Sequence, residues 1–212
     1  MCAAEAPPLA SNELRLHWCV ESVPDEPRRQ RVDRLLRSVL AAHVGLPAAA
    51  LQFGREAKGR PFLRHDGAPD FNLSDTAGGT LVAVCRHGRV GADLERIDRS
   101  PPVARLAKRY FSAQEAHALQ AMAPDPARLA FLRLWTAKEA SCKATGTGIF
   151  GYLPRWIFDA TSAAPRLLEA PGDAGDAARW QFHRVSPSRE HTAVLSLRDA
   201  PEITLSGYAL AG

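Results

Sequence analysis

Cysteine is scarce in this sequence, and the spacing of the few that occur argues against two classes of protein. The four cysteines stand at positions 2, 19, 85 and 142, and no two of them form a Cys-x-x-Cys pair. A zinc site of familiar spacing and a disulfide-stapled secreted domain are therefore both disfavoured. Reduced thiols fit this pattern best, so we expect a cytoplasmic protein.

Long apolar runs are also missing. No stretch approaches the roughly 18 consecutive apolar residues that a membrane span requires, so we expect no membrane association. The first residues have neither a basic start nor an unbroken apolar segment, which argues against a secretory signal.

The charge of the chain is unevenly distributed. With 46% hydrophobic and 24% charged residues, the 212-residue chain has the composition of a globular protein, and its net charge is only +4. Between residues 24 and 64, however, nine basic residues stand against four acidic ones. This surplus is either a solvated arginine face or a surface for an anionic ligand or an acidic protein, and composition leaves both open.

Hydrophobic periodicity and turn residues predict a mixture of helices and strands. The clearest helix covers 126–145, where four large apolar residues share one face. Ser112 and Glu115 have the spacing of a capping box and predict that another helix begins there. Further helices are predicted at 26–45 and 103–110, and strands at 13–20, within 50–64, and at 70–75, 80–86, 89–97, 156–160, 179–185, 191–198 and 203–210.

The two halves of the sequence resemble each other weakly. Phe71 and Phe182 each begin a stretch that is followed ten residues later by a run of β-forming residues. An arginine-bearing helix precedes each stretch in our assignment. We therefore predict an α+β protein of two similar subdomains, residues 1–105 and 106–212.

Two pairs of charged residues carry the sharpest chemistry. Asp93 and Glu95 are two apart on a predicted strand, so both carboxylates point to one face, about 6–7 Å apart at the backbone. Such a pair suits Mg²⁺ that also takes phosphate oxygens, or it is a solvated strand face. Glu139 and Lys143 share one face of the 126–145 helix. Either Glu139 is a third metal ligand or a base and Lys143 contacts a phosphate, or the two form an ordinary ion pair.

Two further motifs are suited to phosphate. In the 71–75 sequence Phe-Asn-Leu-Ser-Asp, a hydroxyl and backbone N–H groups at a strand end can hold a phosphate oxygen, or they serve a turn. Lys58 and Arg60 flank Gly59, which lets the backbone approach a ligand closely, although a basic surface loop has the same composition.

Taken in order, these motifs resemble those of the 4′-phosphopantetheinyl transferases of the longer single-chain type, which activate carrier proteins of polyketide, peptide and fatty-acid synthesis. The family patterns G-K-P, F-N-x-S-H, G-x-D-x-E and W-x-x-K-E-x-x-x-K correspond here to residues 59–61, 71–75, 91–95 and 135–143. The resemblance covers roughly residues 28 to 155. It implies two α+β subdomains related by a pseudo-twofold axis, with the active site in the cleft between them, and a monomer.

The resemblance also implies a reaction. Coenzyme A donates its 4′-phosphopantetheine arm to a serine of an acyl or peptidyl carrier protein, with Mg²⁺ bound, and adenosine 3′,5′-bisphosphate leaves. Asp93, Glu95 and Glu139 would hold the metal, and Glu139 would take the serine proton directly or through a metal-bound water. Lys143 would neutralise the pyrophosphate or the leaving group. The residues expected to bind coenzyme A are Arg34, Arg55, Lys58, Arg60, Asn72, Ser74, Asp75, Lys138 and Lys143.

Two positions depart from the family pattern. Asp75 stands where the family has histidine, and Asp33 stands where it has an arginine, with Arg34 one residue further on. Both departures lie at phosphate contacts, and neither involves the three carboxylates. A carrier-protein or coenzyme A binding module without catalysis is therefore the alternative. Nucleic-acid binding is disfavoured because no aromatic residues are interleaved with the basic ones.

Overall fold

The computed structural model describes residues 8–20 and 26–210, and these contain eleven strands and four α-helices. The strands are β1 Glu13–Val20, β2 Phe53–Arg55, β3 Pro61–Leu63, β4 Asp70–Thr76, β5 Gly79–Cys85, β6 Arg89–Arg96, β7 Ile157–Phe158, β8 Leu167–Glu169, β9 Trp180–Ser188, β10 His191–Arg198 and β11 Thr204–Leu210. The helices are α1 Arg28–Val44, α2 Val103–Tyr110, α3 Ala113–Gln120 and α4 Pro124–Thr145. Among these residues, no helix has both the length and the apolar character to cross a membrane. The predicted α+β class is confirmed.

Two larger sheets carry the fold. The first has the order β11-β1-β5-β4, in which β1 pairs parallel with β11 and the other neighbours are antiparallel. The second has the order β6-β10-β9 and is antiparallel throughout. Each sheet contains one strand from the other half of the chain, since β6 joins the second sheet and β11 the first. The division into 1–105 and 106–212 and the pseudo-twofold axis stay predictions.

The alternation of apolar residues arranges the sheets and helices in layers. On β6, Val90, Ala92 and Leu94 belong to a core that also contains residues of β1, β5 and β10, so the two sheets pack on each other. Residues at the alternate positions of β6, Gly91 and Asp93, face α4 instead. Helix α1 covers the outer face of the first sheet, and α2, α3 and α4 share a core with Val194 of β10 and Trp180 of β9.

Local signals in the sequence account for the helix ends. The capping box at Ser112 and Glu115 is present, with the hydroxyl accepting from the Glu115 N–H and the carboxylate accepting from the Ser112 N–H. Helices α1 and α4 both end at a glycine with positive φ, Gly45 at 69° and Gly146 at 68°, as a left-handed cap requires.

Short strands escaped the sequence analysis. Strands β3 and β8 have three residues each, too few to express a period of two, and the strand predicted at 156–160 is only the two-residue β7.

The described cysteines, at 19, 85 and 142, are all buried and form no disulfide. Cys2 lies outside the described residues.

Candidate active site

The edges of the two sheets meet through side chains. Strands β4 and β6 lie side by side but in different sheets. Strand β6 is the edge of its sheet, and on the side facing β4 the backbone N–H groups of alternate residues have no strand to pair with. These N–H groups therefore need other acceptors. Three side chains at alternate positions of β4 supply these acceptors: Asp70 to the N–H of Val90 at 2.7 Å, Asn72 to that of Ala92 at 3.1 Å, and Ser74 to that of Leu94 at 3.1 Å.

Arg60 ties the same junction to the end of α4. The residue is only 5% exposed, and its guanidinium donates to both oxygens of Asp70, at 2.9 and 2.7 Å. It also donates to the carbonyls of Phe71, Val90 and Lys143. A buried guanidinium with this many acceptors holds three elements together. Its predicted contact with phosphate stays a prediction beside this structural role.

Gly91 allows α4 to lie directly on β6. A Cβ atom at this position would be 1.9 Å from the carbonyl oxygen of Ala140 and 2.6 Å from the backbone nitrogen of Ala144. Only glycine leaves room for helix backbone at this distance. The close approach brings Glu139 and Lys143 to the face of β6 that carries Asp93 and Glu95.

Asp93 is the centre of the resulting polar group. It is 4% exposed, and its Oδ1 accepts from the Lys143 ammonium at 2.7 Å and from the Ser74 hydroxyl at 3.1 Å. Lys143 also donates to the Ser74 oxygen at 2.9 Å. The other oxygen, Oδ2, is buried and has no hydrogen-bond partner within the described residues. A buried carboxylate oxygen without a partner is costly unless a ligand uses it.

Glu95 and Glu139 belong to the same electrostatic environment. Burial raises the pKa of Glu95 from its ordinary 4.5 to about 7, and the negative charge of Asp93 adds to the rise. The pKa of Glu139 is raised to about 7 for the same two reasons. Lys143 and Arg99 oppose the rise at both carboxyls. We call Asp93, Glu95 and Glu139 the carboxylate cluster.

A cavity of about 280 Å³ lies beside the carboxylate cluster. It is lined by residues from the β2–β3 turn, from β4 and from the end of α4: Lys58, Gly59, Arg60, Pro61, Asn72, Leu73, Cys142, Lys143, Gly146, Gly148 and Ile149. Three of the sequence motifs therefore meet at one cavity. Three cations line it, and with the adjoining carboxylates they form a site suited to an anionic ligand with a bound cation.

This chain matches the sequence profile of the 4′-phosphopantetheinyl transferase superfamily over residues 89–197, just over half of its length. The chain belongs to the 4′-phosphopantetheinyl transferase superfamily. The match includes all three residues of the carboxylate cluster and Lys143, so the resemblance seen in the motifs is confirmed.

Individual relatives agree with this membership. A Synechocystis protein whose name marks it as a candidate 4′-phosphopantetheinyl transferase is 35% identical over 176 residues, which cover 82% of this chain and 70% of that protein. The 4′-phosphopantetheinyl transferase HetI of Nostoc is 35% identical over 59% of this chain, and a Bacillus subtilis 4′-phosphopantetheinyl transferase is 34% identical over 55%. The chain spans only 55% and 51% of those two proteins.

A solved structure gives a weaker likeness. The holo-[acyl-carrier-protein] synthase of Thermotoga maritima aligns with a TM-score of 0.41 at 22% identity, over 53% of this chain and 64% of that one. A TM-score of this size does not establish a shared fold.

Several predicted residues of the superfamily site lie away from the cavity. Lys138 is fully buried on another face of α4, where it pairs with Glu115 at 2.8 Å and donates to the Leu153 carbonyl. Arg34 pairs with Glu26 at the surface, 2.8 Å away. The structure does not bring Lys138 or Arg34 to the cavity.

Two other predicted residues, Arg55 and Asp75, do not line the cavity themselves. Arg55 donates to the carbonyl of Gly59, which lines the cavity, at 2.8 Å. Asp75 lies one residue beyond Ser74 on β4 and accepts from Arg28 and from Thr80. The ligand contacts expected of Arg55 and Asp75 stay predictions.

Three residues that contact predicted site residues were not themselves predicted from the sequence. Asp70 could have been found, because polar residues at 70, 72 and 74 share one strand face. Arg99, which pairs with Glu95 and lies 5.7 Å above the Trp135 ring, has no recognisable local signal. Nor does Arg28, because its partner Asp75 is 47 positions away along the chain.

Among the described residues, no group of three or more His, Cys, Asp or Glu side chains is arranged closely enough to hold a metal ion. The Lys143 ammonium lies against the carboxylate of Asp93. Metal binding by the carboxylate cluster therefore stays a prediction.

Proposed function

We propose that this chain transfers the 4′-phosphopantetheine arm of coenzyme A to a serine of an acyl or peptidyl carrier protein. One observation carries the proposal: the carboxylate cluster, with the unpartnered Oδ2 of Asp93, adjoins a cavity lined by Lys58, Arg60 and Lys143. Phosphoryl transfer needs positioning and charge neutralisation more than covalent chemistry. A site that offers cations for phosphates and carboxylates for a metal provides both.

The donor would bind in the cavity. Lys58 and Lys143 are cations at its wall, and Asn72, whose oxygen already accepts from Ala92, lines it from β4. Arg55 and Arg60 add positive charge next to this wall and favour the 3′-phosphate and pyrophosphate groups of coenzyme A. Ser74 accepts from the Lys143 ammonium at 2.9 Å and so helps to fix that cation beside Asp93.

Mg²⁺ binding by the carboxylate cluster is part of the proposal, since Mg²⁺ is a hard cation that prefers carboxylate oxygens. Asp93 Oδ2 is buried and unpartnered, and the mutual repulsion of Asp93, Glu95 and Glu139 is what a cation would relieve. Asp93, Glu95 and Glu139 would hold the ion. When bound, the metal supplies Lewis-acid stabilisation of the pyrophosphate charge.

The protein side chains would then move one proton and neutralise one leaving group. The serine oxygen of the carrier forms a bond to the β-phosphorus of coenzyme A, and the bond from this phosphorus to the bridging oxygen breaks. Glu139, one of the three carboxylates of the cluster, takes the serine proton. Lys143 neutralises the charge that develops on the departing adenosine 3′,5′-bisphosphate.

The partner would be an acidic carrier domain, attracted by the basic surplus of residues 24–64. We propose that the protein works as a monomer in the cytoplasm, and that a cleft between its two subdomains receives both substrates. These points rest on the resemblance of the motifs and on the cations at the cavity.

Mass spectrometry of a carrier domain tests the transfer. Incubation with this protein, coenzyme A and Mg²⁺ is expected to add one phosphopantetheine mass to the carrier, and chelation of the metal should stop the addition. The alternative, a binding module without catalysis, predicts that the carrier binds but gains no mass. A carrier domain whose serine is replaced by alanine is the control.

Replacing Asp75 by histidine is expected to keep or raise the affinity for coenzyme A. The change removes the carboxylate that holds Arg28 and leaves two groups that can bind phosphate. Isothermal titration calorimetry measures the dissociation constant, and Asp199→Asn, which releases Arg179 at another surface, is the control. A large loss of affinity in Asp75→His alone would mean that Asp75 contacts the donor itself.

A further inference from the structure

Tyr152 lies between two cations at the rim of the cavity. The Lys58 ammonium is 4.7 Å from the centre of its ring, and the Arg155 guanidinium is 4.8 Å from it. Contacts of this length are favourable cation–π interactions. Because Lys58 is one of the residues that line the cavity, the ring of Tyr152 supports the cavity wall from outside.

A directed chain of hydrogen bonds joins the same groups. The Lys58 ammonium donates to the Tyr152 hydroxyl at 3.2 Å, and that hydroxyl donates to Asp173 Oδ2 at 2.9 Å. Arg155 donates to the other oxygen of Asp173 at 3.0 Å. Since the hydroxyl proton is directed to Asp173, the oxygen lone pairs of Tyr152 are available to the ammonium. Asp173 thus fixes the orientation in which Tyr152 accepts from Lys58.

The chain connects segments that are far apart in sequence. Lys58 belongs to the turn between β2 and β3, next to Gly59 with φ of 90°. Tyr152 follows α4 in a loop that contains two glycines of positive φ, Gly148 and Gly151. Asp173 belongs to the short helical turn Gly172–Ala174. Nothing in the local sequence requires these three residues to meet, so their contact is a property of the fold.

Holding a lysine in advance has a definite energetic benefit. Lys58 is solvent-exposed, and a free lysine side chain loses rotamer entropy when it is immobilised. If the fold has already ordered the ammonium, a phosphate that binds it no longer bears that loss. The ring and the hydroxyl of Tyr152 together provide such an ordering.

We propose that Tyr152, oriented by Asp173, is a positioning residue that holds the Lys58 ammonium at the cavity wall for a phosphate of the donor. This inference rests on the proposed function, because it takes coenzyme A as the ligand of the cavity. Tyr152 touches neither the carboxylate cluster nor the reacting atoms. It acts through Lys58 and therefore affects binding of the donor rather than the chemical step.

Tyr152→Phe is the direct test, since it removes the hydroxyl and keeps the ring between the two cations. We expect KM for coenzyme A to rise about fivefold, which corresponds to the net contribution of one ordinary hydrogen bond, while kcat stays within about twofold of the wild type. Titration calorimetry of coenzyme A should give the same ratio without turnover. Asp173→Asn is expected to act in the same direction, and Asp159→Asn, at the exposed pair with Arg166, should change nothing.

A double-mutant cycle decides whether Tyr152 works through Lys58. If it does, Lys58→Ala with Tyr152→Phe binds coenzyme A no more weakly than Lys58→Ala alone. The proposal would be overturned if the losses of affinity for coenzyme A in the two single variants multiplied in the double variant. It would also be overturned if Tyr152→Phe had the KM of the wild type. A wild-type protein that binds coenzyme A without transferring it would refute the proposed function instead, and the binding cycle would still test Tyr152.

Discussion

Glu139→Gln is expected to lower the rate of transfer by about a thousandfold or more, because it removes both a proposed metal ligand and the proposed base. The same change should stabilise the metal-free protein. Burial, together with the negative charges of the nearby Asp93 and Glu95, raises the pKa of Glu139 to about 7. A neutral amide of the same shape removes that repulsion. Asp93→Asn is also expected to abolish transfer.

The gain in stability depends on pH in a direction that the raised pKa fixes. In the unfolded chain Glu139 titrates near 4.5 and in the folded chain near 7. The folded state therefore binds the proton more tightly between these two pH values. The contribution of Glu139 to the free energy of unfolding is fully present below pH 4.5 and is lost as the pH rises through about 7. Glu139→Gln should thus raise the free energy of unfolding at pH 8 by about 1–3 kcal/mol over the wild type.

Urea denaturation at pH 5 and pH 8 with a chelator present measures this difference, and carrier mass measures the transfer. Glu202→Gln, at an exposed glutamate, is the matched control and should change neither. A Glu139→Gln protein that keeps near-normal transfer would contradict both proposed roles of this residue. Equal stability of wild type and variant at pH 8 would contradict the repulsion.

Gly91→Ala is expected to have the largest effect on stability of any single-methyl change at the site. The added Cβ would lie 1.9 Å from the Ala140 carbonyl oxygen, and helix backbone cannot yield as a flexible side chain does. Helix α4 must move away from β6, at a cost of about 3 kcal/mol or more. Because α4 carries Glu139 and Lys143, the displacement also separates them from Asp93, and transfer should be lost in the molecules that still fold.

The chain contains a suitable control for this substitution. Gly207 in β11 is also a strand glycine, and a Cβ there would meet nothing within 4 Å. Gly207→Ala is expected to be neutral or slightly stabilising, because alanine has less conformational freedom than glycine to lose on folding. Chemical denaturation of both variants makes the comparison. A Gly91→Ala protein as stable and as active as Gly207→Ala would mean that α4 has room to spare.

The sequence was informative about the site wherever periodicity decides which way a side chain points. The period of two on β6 correctly placed Asp93 apart from Val90, Ala92 and Leu94, which face the other sheet. On α4, the step of four residues grouped Glu139 with Lys143, and both lie in the electrostatic environment of Asp93. These features follow from local geometry alone.

Long-range partners could not be predicted in the same way. Lys138 and Arg60 were both assigned to the ligand because they are cations within motifs. The structure pairs each with an acid of the protein, the buried Glu115 for Lys138 and the partly exposed Asp70 for Arg60. Whether a cation forms an ion pair with an acid of the protein depends on how distant segments pack, and this cannot be inferred from composition. The exchange of strands β6 and β11 between the sheets has the same origin.

The junction of β4 with β6 also determines how the distance between the two sheets can change. Within a continuous sheet the spacing of neighbouring strands is fixed at about 4.8 Å by backbone geometry. Across this junction the spacing is set by the reach of three side chains, those of Asp70, Asn72 and Ser74. A longer or shorter residue at one of these places would widen or narrow the seam while each sheet keeps its own register. The separation of the two sheets at this junction can thus be changed by substituting a single side chain.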